Sequence, residues 1–366
     1  MTFVMLPPFQ DELAIGFTGR VGAFNALGSI EQTIKSLRAK NNEISKETKL
    51  AALARSCSMD YNKFVNAHSM FPLHRAVTKY VGHKDELVVE QSTIRLWGLR
   101  SLRVSAMFCM RCATSDVREQ GVSYWHRHHH LPGIDWCLQH NSPLMYAPTH
   151  SYSTQPETVS KDLTQVNECT VDKEMMNPVL QRLAQVQRRW LETPSPIHAA
   201  AISMVFKNRC KELDLRLGQG GKRPVVSDLA RSNLPDRWME KHFPSLLTKR
   251  PEEFLHKLDG SVTDRHVAYP SFVYAMVIAV LFESIDLAFD LLEKANFPFR
   301  HPAASLSSSA VTSEEKAVLS FLDGANLIEA CRLYGVKQNN VESILRAYAQ
   351  SGKRTTILLS DISTVV

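Results

Sequence analysis

Two pairs of residues, Cys109-x-x-Cys112 and Cys137-x-x-His140, carry the strongest chemical signal in the chain. A two-residue spacer lets both members of a pair clasp one side of a tetrahedral Zn²⁺ ion. Three thiolates and one imidazole fill every coordination position, which leaves no site for activating water. The expected role is therefore structural, with the ion supplying folding energy to a small, loop-rich unit. Between the pairs lies a histidine cluster, His126, His128, His129 and His130. Consecutive side chains point in different directions, and no H-x-E, H-E-x-x-H or G-x-S-x-G pattern accompanies them. These histidines are expected to be structural or surface groups, not a second metal site or a general base. No nucleophile or base is displayed elsewhere, so an enzyme is not expected.

The elements that must hold this site read as mostly α. The 366 residues, 44% hydrophobic and 22% charged, allow two or three globular domains. Met1 to Gln10 lacks a basic region with a long apolar run, and the longest apolar stretch, Phe272 to Phe282, is too short to cross a bilayer. A cytoplasmic protein with no membrane partner is expected. Its seven cysteines, an odd number, suit reduced thiols and metal binding better than a disulfide framework. The net charge of +6 is compatible with phosphate contacts. The basic residues around Arg95 to Arg111 and Arg188 to Arg223 fit solvated helix faces as well as a phosphate-facing stripe.

Helical spacing recurs, as in Leu50, Leu53 and Ala54, and no internal repeat appears. Asp11 is placed to cap a first helix with Leu13, Phe17, Val21 and Phe24 on one side. Gly16 and Gly19 inside it each cost about 1 kcal/mol relative to alanine, so packing must hold that helix. Asn141 to Thr158 reads as an irregular connector, and further breaks are expected at Gly218 to Pro224 and Pro302 to Ser309. The resulting division is a helical region at 1–84, a zinc-binding region at 85–150, a helical region at 151–305 and a helix-turn-helix-like unit at 306–366.

The residues around the zinc site form a longer string: Cys109-x-x-Cys112, Asp116, Gly121, Tyr124-Trp125, Arg127, His129, Leu131-Pro132-Gly133 and Cys137-x-x-His140. This string resembles the TniQ/TnsD family of transposon target-site selection proteins. Pro8, Asp11-Glu12-Leu13 and Arg20 resemble the family's opening, and Ala67-His68-Ser69-Met70-Phe71-Pro72-Leu73 resembles the segment before its zinc unit. The later passages Phe254-Leu255 and Tyr269-Pro270 through Phe282-Glu283 are similar to the family's later helical region. Met110 stands where the family usually has proline, Gly16 where serine is common, and a second zinc ribbon has no counterpart.

The C-terminal punctuation is that of three short helices. Thr312 with Glu315 and Asn326 with Glu329 mark two starts. Ala330, Leu333, Gly335, Val336 and Val341 have helix-turn-helix spacing. A last helix from about Asn340 would bury Val341, Ile344, Leu345 and Tyr348. Gln338, Asn339, Asn340, Ser343 and Arg346 would face outward as DNA- or partner-binding residues. Val225 to Phe243, with Leu229-Ala230 and Trp238, is a second, weaker candidate whose aromatics read as core.

The resemblance implies an adaptor, not an enzyme: a protein that marks target DNA and recruits an AAA+ transposition regulator, TnsC-like, which brings in the transposase. It binds an attachment site directly, or docks on a CRISPR Cascade complex whose guide RNA reads the target; a homodimer accompanies the second mode. The alternative from another class is a zinc-stabilised, sequence-specific transcription regulator.

Overall fold

The computed structural model describes residues 3–39, 47–81, 92–95, 98–161, 167–169, 171, 173–263, 268–300, 313–322 and 325–350. Helices dominate, around a few two- and three-residue strands. The N-terminal part holds α1 (Ala14–Phe24), α2 (Ile30–Ala39), α3 (Lys49–Ser56), α4 (Tyr61–His68) and the short α5 (Phe71–His74). Thr48 and Asp60 cap α3 and α4 by accepting from the third backbone N–H beyond each. Phe17, Val21, Leu50, Leu53 and Phe64 form a core of their own between these helices.

Asp11 does not cap α1. Leu13 occupies the cap position without a side-chain bond, while Asp11 adopts left-handed φ 57° and turns toward Arg127 and His128. Phe24, expected on the buried side, is exposed. The glycines of α1 have a packing reason. A Cβ on Gly16 would lie 2.6 Å from Trp125, and one on Gly19 would lie 1.8 Å from the Tyr152 carbonyl oxygen. The helix gives up propensity to bring its backbone against the region that carries the cysteines.

That region contains β2 (Ala106–Phe108), α6 (Met110–Gln120), a 3-10 turn at Arg127–His130, the hairpin β3 (Trp136–Cys137) with β4 (Ser142–Pro143), and β5 (Met145–Ala147). Strand β5 pairs antiparallel with both β2 and β6 (Asn167–Glu168). The stretch expected to be a connector is therefore ordered by strand pairing and by Tyr152, which is buried edge-on to Trp125. Its proline, serine and threonine content masked these pairings, because strands of two or three residues leave no period to read.

Beyond it come α7 (Pro178–Glu192), α8 (Ala199–Glu212), α9 (Val226–Asn233), α10 (Asp236–His242), α11 (His256–Thr263), α12 (Ser271–Leu281) and α13 (Ile285–Arg300). Asn177 caps α7 by accepting from Val179 and Leu180, with Pro178 in the first turn where its missing N–H costs nothing. Apart from Ser271 at its start, α12 lacks a polar face and is buried nearly all round, as such a helix must be. It packs on α7, α9 and α11, and Ser271 Oγ donates to the His74 carbonyl, 2.9 Å away. Trp238 and Phe243 are core residues. β1 (Val77–Thr78) and β7 (Ile197–His198) pair in parallel between the N-terminal and later parts. No helix among the described residues is long and apolar enough to cross a membrane.

The last helices, α14 (Ser313–Leu322), α15 (Leu327–Tyr334) and α16 (Gln338–Gln350), enclose a third small core of Ala317, Val318, Ala330, Cys331 and Val341. Asn326 caps α15 by accepting from Ile328. Gly335 is left-handed, and Val336 N–H closes back on the Cys331 carbonyl, a Schellman-type end. Leu333 is partly exposed, and Cys331 fills the position the spacing assigned to it. Thr312, the break at Pro302 to Ser309, and the side chains of Arg346 and Tyr348 lie outside the described residues.

Replacing Gly19 with alanine would ordinarily stabilise a helix by about 1 kcal/mol. Here the methyl group meets backbone, so a net loss of about 1–3 kcal/mol is expected in a urea titration.

Candidate metal centre

Strand β2 delivers Cys109 to the N-terminus of α6, and Cys112 follows in the first turn. The second pair rides on the β3–β4 hairpin. Cys137 pairs with Ser142, Asn141 adopts left-handed φ 46°, and its N–H closes on the Cys137 carbonyl at 2.8 Å. Two separate local structures thus present their side chains to one point.

His140 Nδ1 lies 3.6 Å from Cys109 Sγ, 3.3 Å from Cys112 Sγ and 3.6 Å from Cys137 Sγ, and the Cys112 and Cys137 sulfurs are 3.7 Å apart. An ion at about 2.3 Å from sulfur and about 2.0 Å from nitrogen gives tetrahedral edges of about 3.5–3.8 Å. The four residues can therefore hold a metal ion with little rearrangement. The thiols are buried and His140 is half-buried. Cys109, hydrogen-bonded by Cys112 and Cys137, is pulled far below the ordinary thiol range. Its bond to Cys109 pushes Cys112 far up, because a second anion beside the first is opposed. A divalent cation removes that conflict and lets all three sulfurs ionise together.

Supports surround the four residues. Ser142 Oγ is 3.4 Å from Cys109 Sγ, and Arg111 Nη1 donates to the His140 carbonyl at 3.2 Å. Neither was singled out by spacing, since contacts across a hairpin leave no sequence period. Met110 occupies the exposed first position of α6, where proline is favoured for its fixed φ but other residues serve.

The segment between the pairs is held on both sides. Toward the N-terminal helices, Arg127 Nε donates to Asp11 Oδ1 at 2.8 Å, and its Nη1 donates to the carbonyls of Asn66 and Ser69 at 2.6 and 3.1 Å. His128 Nδ1 donates to Asp11 Oδ2 at 2.8 Å, and Leu13 N–H donates to the Trp125 carbonyl at 2.7 Å. Burial opposes a charge on Asp11. The His128 hydrogen bond and the Arg127 charge outweigh it and hold the carboxyl well below the usual carboxylate range. Toward the later helices, the Pro132 and Gly133 carbonyls accept from Gln187 Nε2 and Trp238 Nε1 at 2.9 and 2.7 Å. Asp135 binds Arg103, Lys241 and His242.

The histidines are mostly internal. His126 Nε2 donates to Asp116 at 2.9 Å while its ring stacks on Tyr124. His130 donates from Nδ1 to the His126 carbonyl and accepts the Met107 N–H at Nε2, which requires a neutral ring. Burial pushes its pKa down to about 3.

The five outward residues expected at the C-terminus stand apart from this centre. Gln338, Asn339, Asn340 and Ser343 are exposed on α16. Gln338 donates to Glu342 at 2.7 Å and Asn340 to Glu314 at 3.3 Å, so each spends an amide hydrogen on a carboxylate.

Fold and site together define a mostly helical protein built around a buried three-cysteine, one-histidine cluster able to hold a metal ion. Residues 3–144 match the family model described as TniQ, a span that runs from the N-terminal helices through all four cluster residues. Over that span the chain carries a TniQ domain, which indicates a transposition-associated target-site selection protein. No curated protein matches the chain.

Replacing Cys112 or Cys137 with serine is expected to abolish stoichiometric metal in elemental analysis and to lower the melting temperature. Acidification should release the metal, since protons compete for the thiolates. Arg127→Met, which strands Asp11 and two carbonyls, is expected to cost about 3–5 kcal/mol in denaturant unfolding while the metal content stays at wild-type level.

Proposed function

We propose that this protein is a non-enzymatic adaptor of transposition whose cysteine and histidine cluster holds one structural Zn²⁺, joining target recognition to the transposition machinery. The observation that carries the reading is the coincidence of the TniQ match with the tetrahedral cluster: the matched span ends just after the four ligands. Three thiolates and an imidazole suit Zn²⁺ by ligand softness and geometry. The filled shell assigns the ion to folding.

In this reading α16 contacts the target directly. The three-helix unit has its own core and a Schellman-type turn before α16, and a ridge of exposed amides and serine suits base edges in a major groove. The carboxylates of Glu314 and Glu342 beside those amides oppose phosphate, so Arg346 is assigned the phosphate or guanine contact. The AAA+ regulator is the partner that receives the signal. Docking on a guide-RNA Cascade complex is the second mode, favoured by those same two carboxylates.

The test is capture of the zinc-loaded protein on two baits at physiological salt: duplex DNA of random sequence followed by selection, and Cascade with guide RNA. Enrichment of one DNA sequence is expected. Arg346→Ala should then weaken binding by about 1–3 kcal/mol at that site. Capture by Cascade alone would assign α16 to protein contacts; capture by neither, with no binding to an AAA+ regulator, would contradict the adaptor reading.

A further inference from the structure

Beside the tetrad lies a second set of ligand atoms, two of them its own sulfurs and two of them imidazole nitrogens that it leaves unused. The 3-10 turn at Arg127–His130 brings His128 and His129 to one side, with ring centroids 4.3 Å apart. One ligand atom each from Cys112, His128, His129 and Cys137 lie within 4.8 Å of one another. Adjacent side chains were expected to diverge; the turn instead lets this pair reach the same two thiols.

Both imidazoles have buried nitrogen without a partner. His128 Nε2, and both Nδ1 and Nε2 of His129, are buried with no hydrogen-bond partner among the described residues. His129 is 1% exposed, so no solvent compensates. Orphaned polar atoms of this kind are rare in folded proteins and call for an explanation. Asp11 holds Nδ1–H of His128 at 2.8 Å, the carboxylate support that orients metal-ligating histidines and leaves Nε2 as the donor.

We propose that Cys112 and Cys137 bridge two metal ions. Cys109 and His140 complete the first shell; His128 and His129 complete the second. The inference rests on the reading of the tetrad as a zinc site. Each ion is then four-coordinate, with two terminal ligands and two shared thiolates. Charge and protons balance: each thiol releases its proton to solvent, the imidazoles bind as neutral lone-pair donors, and no electron moves. Three thiolates leave one divalent ion with excess negative charge and two with excess positive charge, and the Asp11 carboxylate beside His128 offsets the latter. Binding draws the second set from its 4.8 Å spread toward the edges of about 3.5–3.8 Å that tetrahedral coordination requires.

The 366-residue chain is loaded with excess Zn²⁺, freed of loose metal on a chelating resin, and assayed for zinc per chain. Two ions are expected for the wild type and one for His129→Asn, with His128→Asn as a second variant should the first not fold. Loss of the exposed His150 (His150→Asn) should leave two. In a parallel Co²⁺ titration, the high-spin EPR signal of the first equivalent should fall as the second adds, through coupling across the thiolates. Saturation of the wild type at one ion, or a second ion that persists in both histidine variants, overturns the bridged centre alone. A wild type that retains no metal overturns the tetrad reading with it.

Discussion

One strip of chain, residues 124–133, is bonded to helices on both sides of the larger body of this protein. On one side its Trp125 carbonyl and Arg127 guanidinium take hold of the N-terminal helices through Leu13, Asp11 and the ends of α4. On the other, its Pro132 and Gly133 carbonyls are claimed by Gln187 and Trp238 from α7 and α10. A strip of mostly irregular backbone has no ladder of its own to keep it straight. The Cys109/Cys112 and Cys137/His140 pairs flank it in sequence, and bringing them to one point fixes both its ends. In this account the metal closes a loop whose contents glue two sets of helices together.

The hydrophobic core has the same shape. Leu13 and Met70 from the N-terminal part, Trp125 and Trp136 from the strip's surroundings, and Leu183, Trp238 and Tyr274 from the later helices belong to one continuous buried cluster. The close approach of α1 to Trp125 and Tyr152 depends on glycines that a freestanding helix would not choose. The N-terminal helices also keep a core of their own around Phe17, Leu53 and Phe64, and the C-terminal three-helix unit keeps a smaller one.

The sequence made the candidate ligand cluster legible because coordination chemistry demands fixed residue types at fixed short spacings, which are readable without any fold. The start of α15 was legible for a similar reason, through the asparagine cap at Asn326. Asp11 was misread because a carboxylate just before an apolar helix has the same local signature whether it caps that helix or turns back to an arginine 116 positions away. The partners of Pro132 and Gly133 were hidden altogether: they are backbone carbonyls, and no residue type announces that its carbonyl will be claimed. The histidines were read as structural or surface groups, and the orphaned nitrogens of His128 and His129 become visible only when distance and burial are both known.

Hydrogen–deuterium exchange with and without a strong chelator shows whether a metal-held strip is the shared wall between the helical parts. Chelation should raise exchange in the cysteine region and also at the amides of Leu13, Phe17 and the first turns of α7 and α10, on both sides of the strip. Exchange that rises only within residues 106–147, with the flanking helices still protected, would contradict it.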